Sequence, residues 1–142
     1  MADFSHLRKH IGAEKTATYT FYDLEGEPTV SVRPATEENK DYHNALMRRQ
    51  LSRSRKSARR ITVDDLMRVR KDDIELYAQH IVKGWEGIVD AAGKAVAFSE
   101  ATCKEFLTAI PTEILDDLRG FCADRHSFLD GADADGEALG KN

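Results

Sequence analysis

Two pairs of side chains in this sequence have the spacing of metal ligands on a helix. His6 and His10 are four residues apart, and so are Cys122 and His126. Residues at positions i and i+4 lie on one helix face, and imidazole and thiolate are ligands that zinc prefers. A four-ligand site would require these two distant pairs to converge. We therefore expect polar surface histidines and a core cysteine, with no metal and no other cofactor.

The acidic residues give no sign of a catalytic site. Neighbouring aspartates occur three times, as Asp64 with Asp65, Asp72 with Asp73, and Asp116 with Asp117. Adjacent residues on a helix point about 100° apart, so these carboxylates cannot share one site. The sequence also lacks a GxSxG nucleophile motif and a Walker A phosphate loop. It predicts a protein that is not an enzyme and has no catalytic residues.

Charge is distributed unevenly along the chain. The net charge is −4, yet residues 48–60, RRQLSRSRKSARR, contain seven basic residues and no acid, whereas residues 130–142 contain four acids and one lysine. We name residues 48–60 the basic segment. Its basic residues are Arg48, Arg49, Arg53, Arg55, Lys56, Arg59 and Arg60.

The basic segment has two interpretations. Clustered Arg and Lys residues are typical of nucleic-acid binding, because they neutralise phosphates. No aromatic residue is interleaved for base stacking, and no recognition-helix pattern follows. The alternative is electrostatic docking on an acidic protein surface, including the acidic tail of this chain.

Length and composition predict one folded domain. A chain of 142 residues with 41% hydrophobic residues can bury a core without metal or disulfide. No apolar run approaches the roughly 20 residues of a membrane span, and no apolar stretch of a signal peptide follows the N-terminus. We expect a cytosolic protein with no membrane contact, in which Cys103 and Cys122 are reduced core thiols.

The N-terminal part predicts a β-hairpin over about residues 16–33. TATYTFYD, residues 16–23, alternates apolar residues and threonines, and TVSVR repeats the alternation with Val30 and Val32. LEGEP supplies the turn between them. A two-stranded hairpin is marginal alone, so it must pack on other elements.

The helical part is expected over about residues 36–129. A helix from about Glu37 to Leu51 is followed by a solvated helix extension or a mobile link. Thr62 and Asp65 then have the spacing of a capping box and begin a long central helix. Gly84 is expected to end it as a left-handed C-cap. Its apolar residues repeat every three or four positions and are Val63, Leu66, Met67, Ile74, Tyr77, Ala78 and Ile81.

A pair of short helices is expected near the C-terminus. Ser99 caps the first, and Pro111 separates it from the second. Their apolar faces contain Cys103, Phe106, Leu107 and Ile110 in the first helix, and Ile114, Leu115, Leu118, Phe121 and Cys122 in the second. The fold class is therefore mainly α (α+β), with a single domain over residues 1–129 and a flexible, disordered acidic tail over residues 130–142.

The only tryptophan, Trp85, lies in the sequence GWEG between two of these elements. Gly84 and Gly87 let the chain turn sharply there, so that the indole folds back onto the neighbouring helices. We interpret Trp85 as a core anchor at this junction, with an exposed contact for a partner as the alternative.

Residues 76–111, LYAQHIVKGWEGIVDAAGKAVAFSEATCKEFLTAIP, resemble the tail assembly chaperones of long-tailed bacteriophages and prophages. The shared features are a helix ending in Gly-Trp, a short "vDaaGkpvpFs" turn and a helix ending in "l…iP". The similarity is best from about Tyr77 to Phe128, and SVRPATEENKDYHNALMRR resembles the N-terminal part of these proteins. Two features depart from the pattern: Ala97 stands where proline is common, and the basic segment is long.

The resemblance implies a small, mostly helical, non-enzymatic chaperone of tail assembly. Such a protein binds the tape measure protein, keeps it soluble and helps to recruit tail tube protein in the host bacterial cytoplasm, and it is absent from the mature virion. The sequence does not decide between a monomer and a homo-oligomer. The alternative function is a small nucleic-acid-binding regulator that uses the basic segment. The residues nominated for partner binding are Trp85, Phe98, Phe106, Leu107, Leu118 and Phe121.

The resemblance also implies a second, longer form of the protein. Relatives are often extended when ribosomes slip back one nucleotide near the end of the gene, at a heptamer of the form X XXY YYZ. Gly140 and Lys141 are compatible with G GGA AAA, and Gly-Lys-Asn is compatible with A AAA AAC. The acidic tail would then link the helical body to an extension domain.

Overall fold

The structure, a computed structural model, describes residues 15–56 and 62–129. Its elements in chain order are β1 (Ala17–Thr20), β2 (Thr29–Val32), α1 (Lys40–Lys56), α2 (Val63–Leu76), β3 (Val82–Glu86), α3 (Glu100–Ala109) and α4 (Thr112–Ala123). A π-helical turn, Tyr77–Ile81, joins α2 to β3, and a short 3-10 helix, Arg125–Phe128, follows α4. The mainly helical α+β class is confirmed.

The predicted hairpin is present and belongs to a larger sheet. β1 and β2 are antiparallel, with Ala17 opposite Val32 and Thr20 opposite Thr29. β2 also pairs with β3, which gives the strand order β1-β2-β3. The register shifts at Lys83, where β3 has one residue more than β2 and forms a bulge. This third strand supplies the support that the hairpin needs.

The end of the central helix differs from the prediction. Gly84 was expected to end the helix in a left-handed conformation, but the helical backbone ends at Ile81 and Gly84 lies inside β3. The reason is the pairing of β3 with β2, a long-range contact that local sequence signals do not reveal. The sharp turn lies at Gly87, which has a φ of 83° and where an added Cβ would lie 3.2 Å from Pro28 Cα.

Both predicted helix caps are confirmed. Thr62 Oγ1 accepts a hydrogen bond from the Asp65 N–H at 3.2 Å, and the Asp65 carboxylate accepts one from the Thr62 N–H at 2.9 Å. These hydrogen bonds hold the pKa of Asp65 below its ordinary value. Ser99 and Thr102 form the corresponding reciprocal pair at the start of α3.

The first helix begins later and extends further than predicted. Asn39 precedes it, and the Asn39 Oδ1 accepts a hydrogen bond from the Tyr42 N–H at 3.3 Å. The buried Asn39 amide also donates to the carbonyls of Pro34, at 3.0 Å, and of His80, at 3.3 Å. α1 continues to Lys56, so of the two alternatives for the start of the basic segment the helix extension is observed.

α1 and α2 lie antiparallel. The rings of Tyr42 and Tyr77 meet edge to face at 5.9 Å, and Arg49, further along α1, contacts Asp72, earlier in α2. α3 and α4 complete the core with the two apolar faces that the sequence predicted, in which Leu107, Leu118 and Cys122 are buried. Both thiols are free and buried, and burial raises the pKa of Cys103 to about 12 and that of Cys122 further.

Candidate functional site

The residues nominated for partner binding lie in or against the core. The Trp85 indole meets Phe98 at 5.1 Å and Phe106 at 5.7 Å between ring centroids, both edge to face. The Trp85 Nε1–H donates to the Val96 carbonyl at 2.8 Å. The indole therefore packs on α3, as expected, but from within a strand rather than from a turn.

The same ring contacts continue across the sheet. Phe106 meets Phe21 at 5.4 Å, Phe21 meets Tyr19 at 5.0 Å, and Tyr19 meets Phe121 at 5.1 Å. The structure thus joins four of the nominated residues, Trp85, Phe98, Phe106 and Phe121, in one series of aromatic contacts. The other two, Leu107 and Leu118, are fully buried, so in this conformation all six hold α3 and α4 on the sheet.

The basic segment is described only in part. Arg48 is exposed, but the guanidinium of Arg49 lies 2.6 Å from the Asp72 carboxylate and 3.2 Å from that of Glu75, so Arg49 binds α1 to α2. The side chains of Arg53, Arg55 and Lys56, and the whole of Arg59 and Arg60, lie outside what the structure describes. The frameshift residues Gly140 and Lys141, the tail and the pair His6 and His10 also lie outside it.

The second candidate pair of metal ligands is not brought together. Cys122 is fully buried, whereas the side chain of His126 is 83% exposed and contacts Asp124 at 3.1 Å. Within residues 15–56 and 62–129, no three His, Cys, Asp or Glu side chains converge in a way that would hold a metal ion.

The surface feature that sequence reasoning missed is the exposed beginning of α2. The predicted apolar stripe exists, and its second half, with Ile74, Tyr77, Ala78 and Ile81, is buried. Its first half extends past the edge of the core. Val63 is 71% exposed, Leu66 60% and Met67 66%. We name these three residues the open stripe. The one signal in the sequence is the break in periodicity near Arg70, which separates the two halves.

Two grooves flank the open stripe. The first, of about 350 Å³, lies between α2 and α4 and combines the open stripe with Thr112, Leu115 and Arg119. The second, of about 900 Å³, lies on the side of α3 and has Ile74, Lys104 and Thr108 among its lining residues. Met67 and Arg70 line both grooves, so they form the ridge between them.

Ion pairs and hydrogen bonds fix the walls of the first groove. The Arg70 guanidinium donates to the Thr112 hydroxyl and to the Ile110 carbonyl, the latter at 3.3 Å, which ties α2 to the start of α4. Arg119 contacts Asp73 at 3.0 Å and Asp116 at 3.3 Å. The open stripe is therefore apolar surface beside a groove whose walls are joined by these contacts, and this arrangement suits the binding of an amphipathic helix.

The helices of the described chain are too short or too polar for a membrane span.

Comparison with known proteins places the chain in a family. The family model described as the YdaY prophage protein matches residues 37–139, which include α1 to α4 and leave out the hairpin. Neither the search of curated proteins nor the search of solved structures gave a match.

Fold and surface together define a small α+β protein with an apolar helix face open to solvent. The match covers most of the 142 residues, and the chain belongs to the YdaY prophage protein family. It is therefore a prophage protein.

Proposed function

We propose that this prophage protein is a tail assembly chaperone that binds the tape measure protein and assists assembly of the tail tube. The observation that carries the proposal is the open stripe, because a folded protein of this size that leaves three large apolar residues of one helix uncovered has a surface suited to a partner. The sequence resemblance to tail assembly chaperones supports the same function.

A tape measure protein is long, helical and apolar along one face, as the resemblance implies. One of its helices would lie along the open stripe, with its side chains in the two flanking grooves. Met67 stands on the ridge between the grooves, and the unbranched thioether side chain adapts to different partner side chains. Binding of this kind would shield the apolar face of the client in the host cytoplasm until tail tube protein replaces the chaperone, which is absent from the virion.

Co-expression tests the proposal directly. The tape measure gene of the same prophage is expressed in bacteria with and without this chain, and the soluble fraction and a purified complex are measured. We expect the soluble fraction to rise several-fold with the chain. The double variant Leu66→Ser, Met67→Ser should lose most of this effect, because it removes apolar surface from the open stripe without touching the core.

The matched control is Tyr22→Ser, which removes a large and even more exposed aromatic side chain from the hairpin turn, away from the stripe. It should behave like the unchanged protein. A tape measure protein that is equally soluble without the chain, and forms no complex with it, would contradict the proposal.

The second candidate function, a small nucleic-acid-binding regulator, is favoured by one observation. α1 continues to Lys56, so the first part of the basic segment is helical, and Arg48 on it is exposed. Titration with duplex DNA at several salt concentrations separates the two functions. Tight binding with a steep salt dependence, lost when Arg53, Arg55, Lys56, Arg59 and Arg60 are neutralised, would favour the regulator over the chaperone.

The longer form belongs to the same proposal and is tested in the gene. A slippery heptamer at the codons of Gly140 and Lys141, followed by an open −1 frame, would provide the extension that reaches the tail tube protein. Codons such as GGC and AAG, which form no heptamer, would exclude it.

A further inference from the structure

One side of the open stripe carries two opposite charges, and their arrangement is complementary to the same arrangement on a second, antiparallel helix. Asp64 and Lys71 are seven residues apart in α2, so they occupy the same position in successive heptads and lie on the same side of the stripe. Both line the second groove, which agrees with this placement. Both are exposed, and in the described part of the chain neither takes part in an ion pair.

An antiparallel pair of such helices brings opposite charges together. In this orientation, flanking residues of one helix face residues at the same heptad position of the other. A two-fold axis between Met67 and Arg68, halfway along the segment from Asp64 to Lys71, places each Asp64 opposite Lys71 of the other helix. It also places the two Met67 side chains, which are among the most exposed large apolar groups of the described residues, close to the axis.

We infer that the open stripe pairs with the open stripe of a second copy of this chain, antiparallel and about that axis. Leu66 and Met67 of each copy lie against those of the other next to the axis, and two Asp64–Lys71 ion pairs close one side. A two-fold contact in which one patch meets itself is the commonest arrangement of homo-oligomers.

The expected dimer is weak. The stripe spans little more than one turn of α2, so the buried area falls below the roughly 1,200 Å² of stable interfaces. We expect association in the micromolar range or weaker. The inference goes beyond the proposed function, because the contact requires no client and is measured on the chain alone. A client helix and the second copy would compete for the same surface.

Charge exchange tests both the contact and its orientation. In Asp64→Lys, both inter-chain pairs become Lys–Lys, and in Lys71→Glu both become Asp–Glu. By sedimentation over a concentration series, each variant alone should dimerise at least about 10-fold more weakly than the unchanged chain. An equimolar mixture of the two variants restores both ion pairs and should return to the association of the unchanged chain.

The matched controls are Asp117→Lys and Lys94→Glu, which reverse exposed charges on α4 and in the turn before α3. They should leave association unchanged. A monomer at every concentration, or variants that dimerise as well alone as in the mixture, would overturn the inference.

A second measurement does not depend on charge. Met67→Cys places a thiol next to the two-fold axis, and mild oxidation should link most of the protein into disulfide dimers at concentrations where Tyr22→Cys stays unlinked. The natural thiols are buried and do not interfere. Equal linking of the two variants would contradict the antiparallel contact. Neither experiment contains a tape measure protein. Their results therefore test the dimer independently of the proposed chaperone function.

Discussion

The two halves of the α2 stripe have the same sequence pattern and opposite surroundings. Ile74 and Ala78 are four residues apart, as are Val63 and Met67, and all four lie on one side of the helix. The second half packs between the sheet, α1 and α3, whereas the first half extends beyond them. Periodicity therefore identifies the apolar face of a helix, but the other elements decide how much of that face they cover.

By the proposals above, stability depends on the buried half of this helix and binding on its open half. Substitutions in the buried half should destabilise the protein, and substitutions in the open half should leave it folded and weaken its contacts.

The largest effect is expected at Ile81, which is fully buried where the π turn meets β3. Ile81→Ala should lower the free energy of unfolding by about 3 to 4 kcal/mol, because it leaves a cavity that rigid neighbours cannot fill. Urea unfolding measures the change. A loss below about 1 kcal/mol would mean that the site collapses around the smaller side chain and that the buried half matters less than its burial indicates.

Trp85 extends the buried half into the sheet, and Trp85→Ala should cost about 3 kcal/mol by removing the contacts with Phe98 and Phe106. Trp85→Phe keeps a ring but not the N–H donor to Val96, so it should cost only about 1 kcal/mol. Thermal melting of both variants checks the order. An unchanged melting curve together with lost tape measure binding would instead identify the indole as a contact for the client.

Asn39 connects the start of α1 to the π turn that ends the buried half. Asn39→Ala should destabilise by about 2 kcal/mol, because the buried carbonyl of Pro34 and the partly buried carbonyl of His80 lose their donor. Asn39→Asp is the informative control, since it keeps the acceptor for the Tyr42 N–H but not the two donors. A carboxylate buried against two carbonyl oxygens is also desolvated without a donor, so Asn39→Asp should destabilise the protein at least as much as Asn39→Ala at pH 7. An unfolding free energy like that of the unchanged protein would show that the cap matters more than the two donors.

His80 gives the buried half a modest dependence on pH. Burial lowers the pKa of His80 from its ordinary 6.5, so the unfolded chain binds the proton more readily than the folded one. The contribution of His80 to stability is therefore complete above pH 6.5 and is lost as pH falls below it. The free energy of unfolding, measured at pH 7, 6 and 5, should fall less with decreasing pH in His80→Gln than in the unchanged protein. An equal fall in both proteins would assign the pH dependence to other groups.

Met67 should show the smallest change in stability. Because its side chain is mostly exposed, Met67→Ala should alter the free energy of unfolding by no more than about 0.5 kcal/mol. The same variant should weaken both self-association and tape measure binding, each measured as above. A destabilisation as large as that of Ile81→Ala would show that the two halves of the stripe do not differ in the way the structure describes.

The features that were predictable from the sequence rest on local signals. Thr62 and Ser99 cap helices through residues three positions away, and the hairpin follows from alternation on both sides of a short turn. These contacts join neighbours in the chain, so residue types and spacing suffice to predict them.

The features that were missed depend on residues far apart in the chain. Val82 to Glu86 form a strand because β2 lies beside them, which overrides the helix-ending signal of Gly84. The exposure of Leu66 and Met67 depends on where α3 and α4 end against α2. The mutual packing of the nominated residues Trp85, Phe98 and Phe106 likewise depends on where α3 lies against β3, and their role in partner binding stays a prediction.

The π turn has a consequence for how this protein can change in evolution. α2 passes into β3 through this turn, without a loop. A residue gained or lost in α2 would rotate the apolar face of the helix by about 100°. A residue gained or lost in β3 would move the side chains of the strand to the opposite face of the sheet. A π turn corresponds to an α-helix that holds one inserted residue. Loss of one residue there, such as Gln79, would restore an ordinary helix and keep the phase of both neighbours. Within the described stretch from Val63 to Glu86, Tyr77–Ile81 is therefore where family members should differ in length.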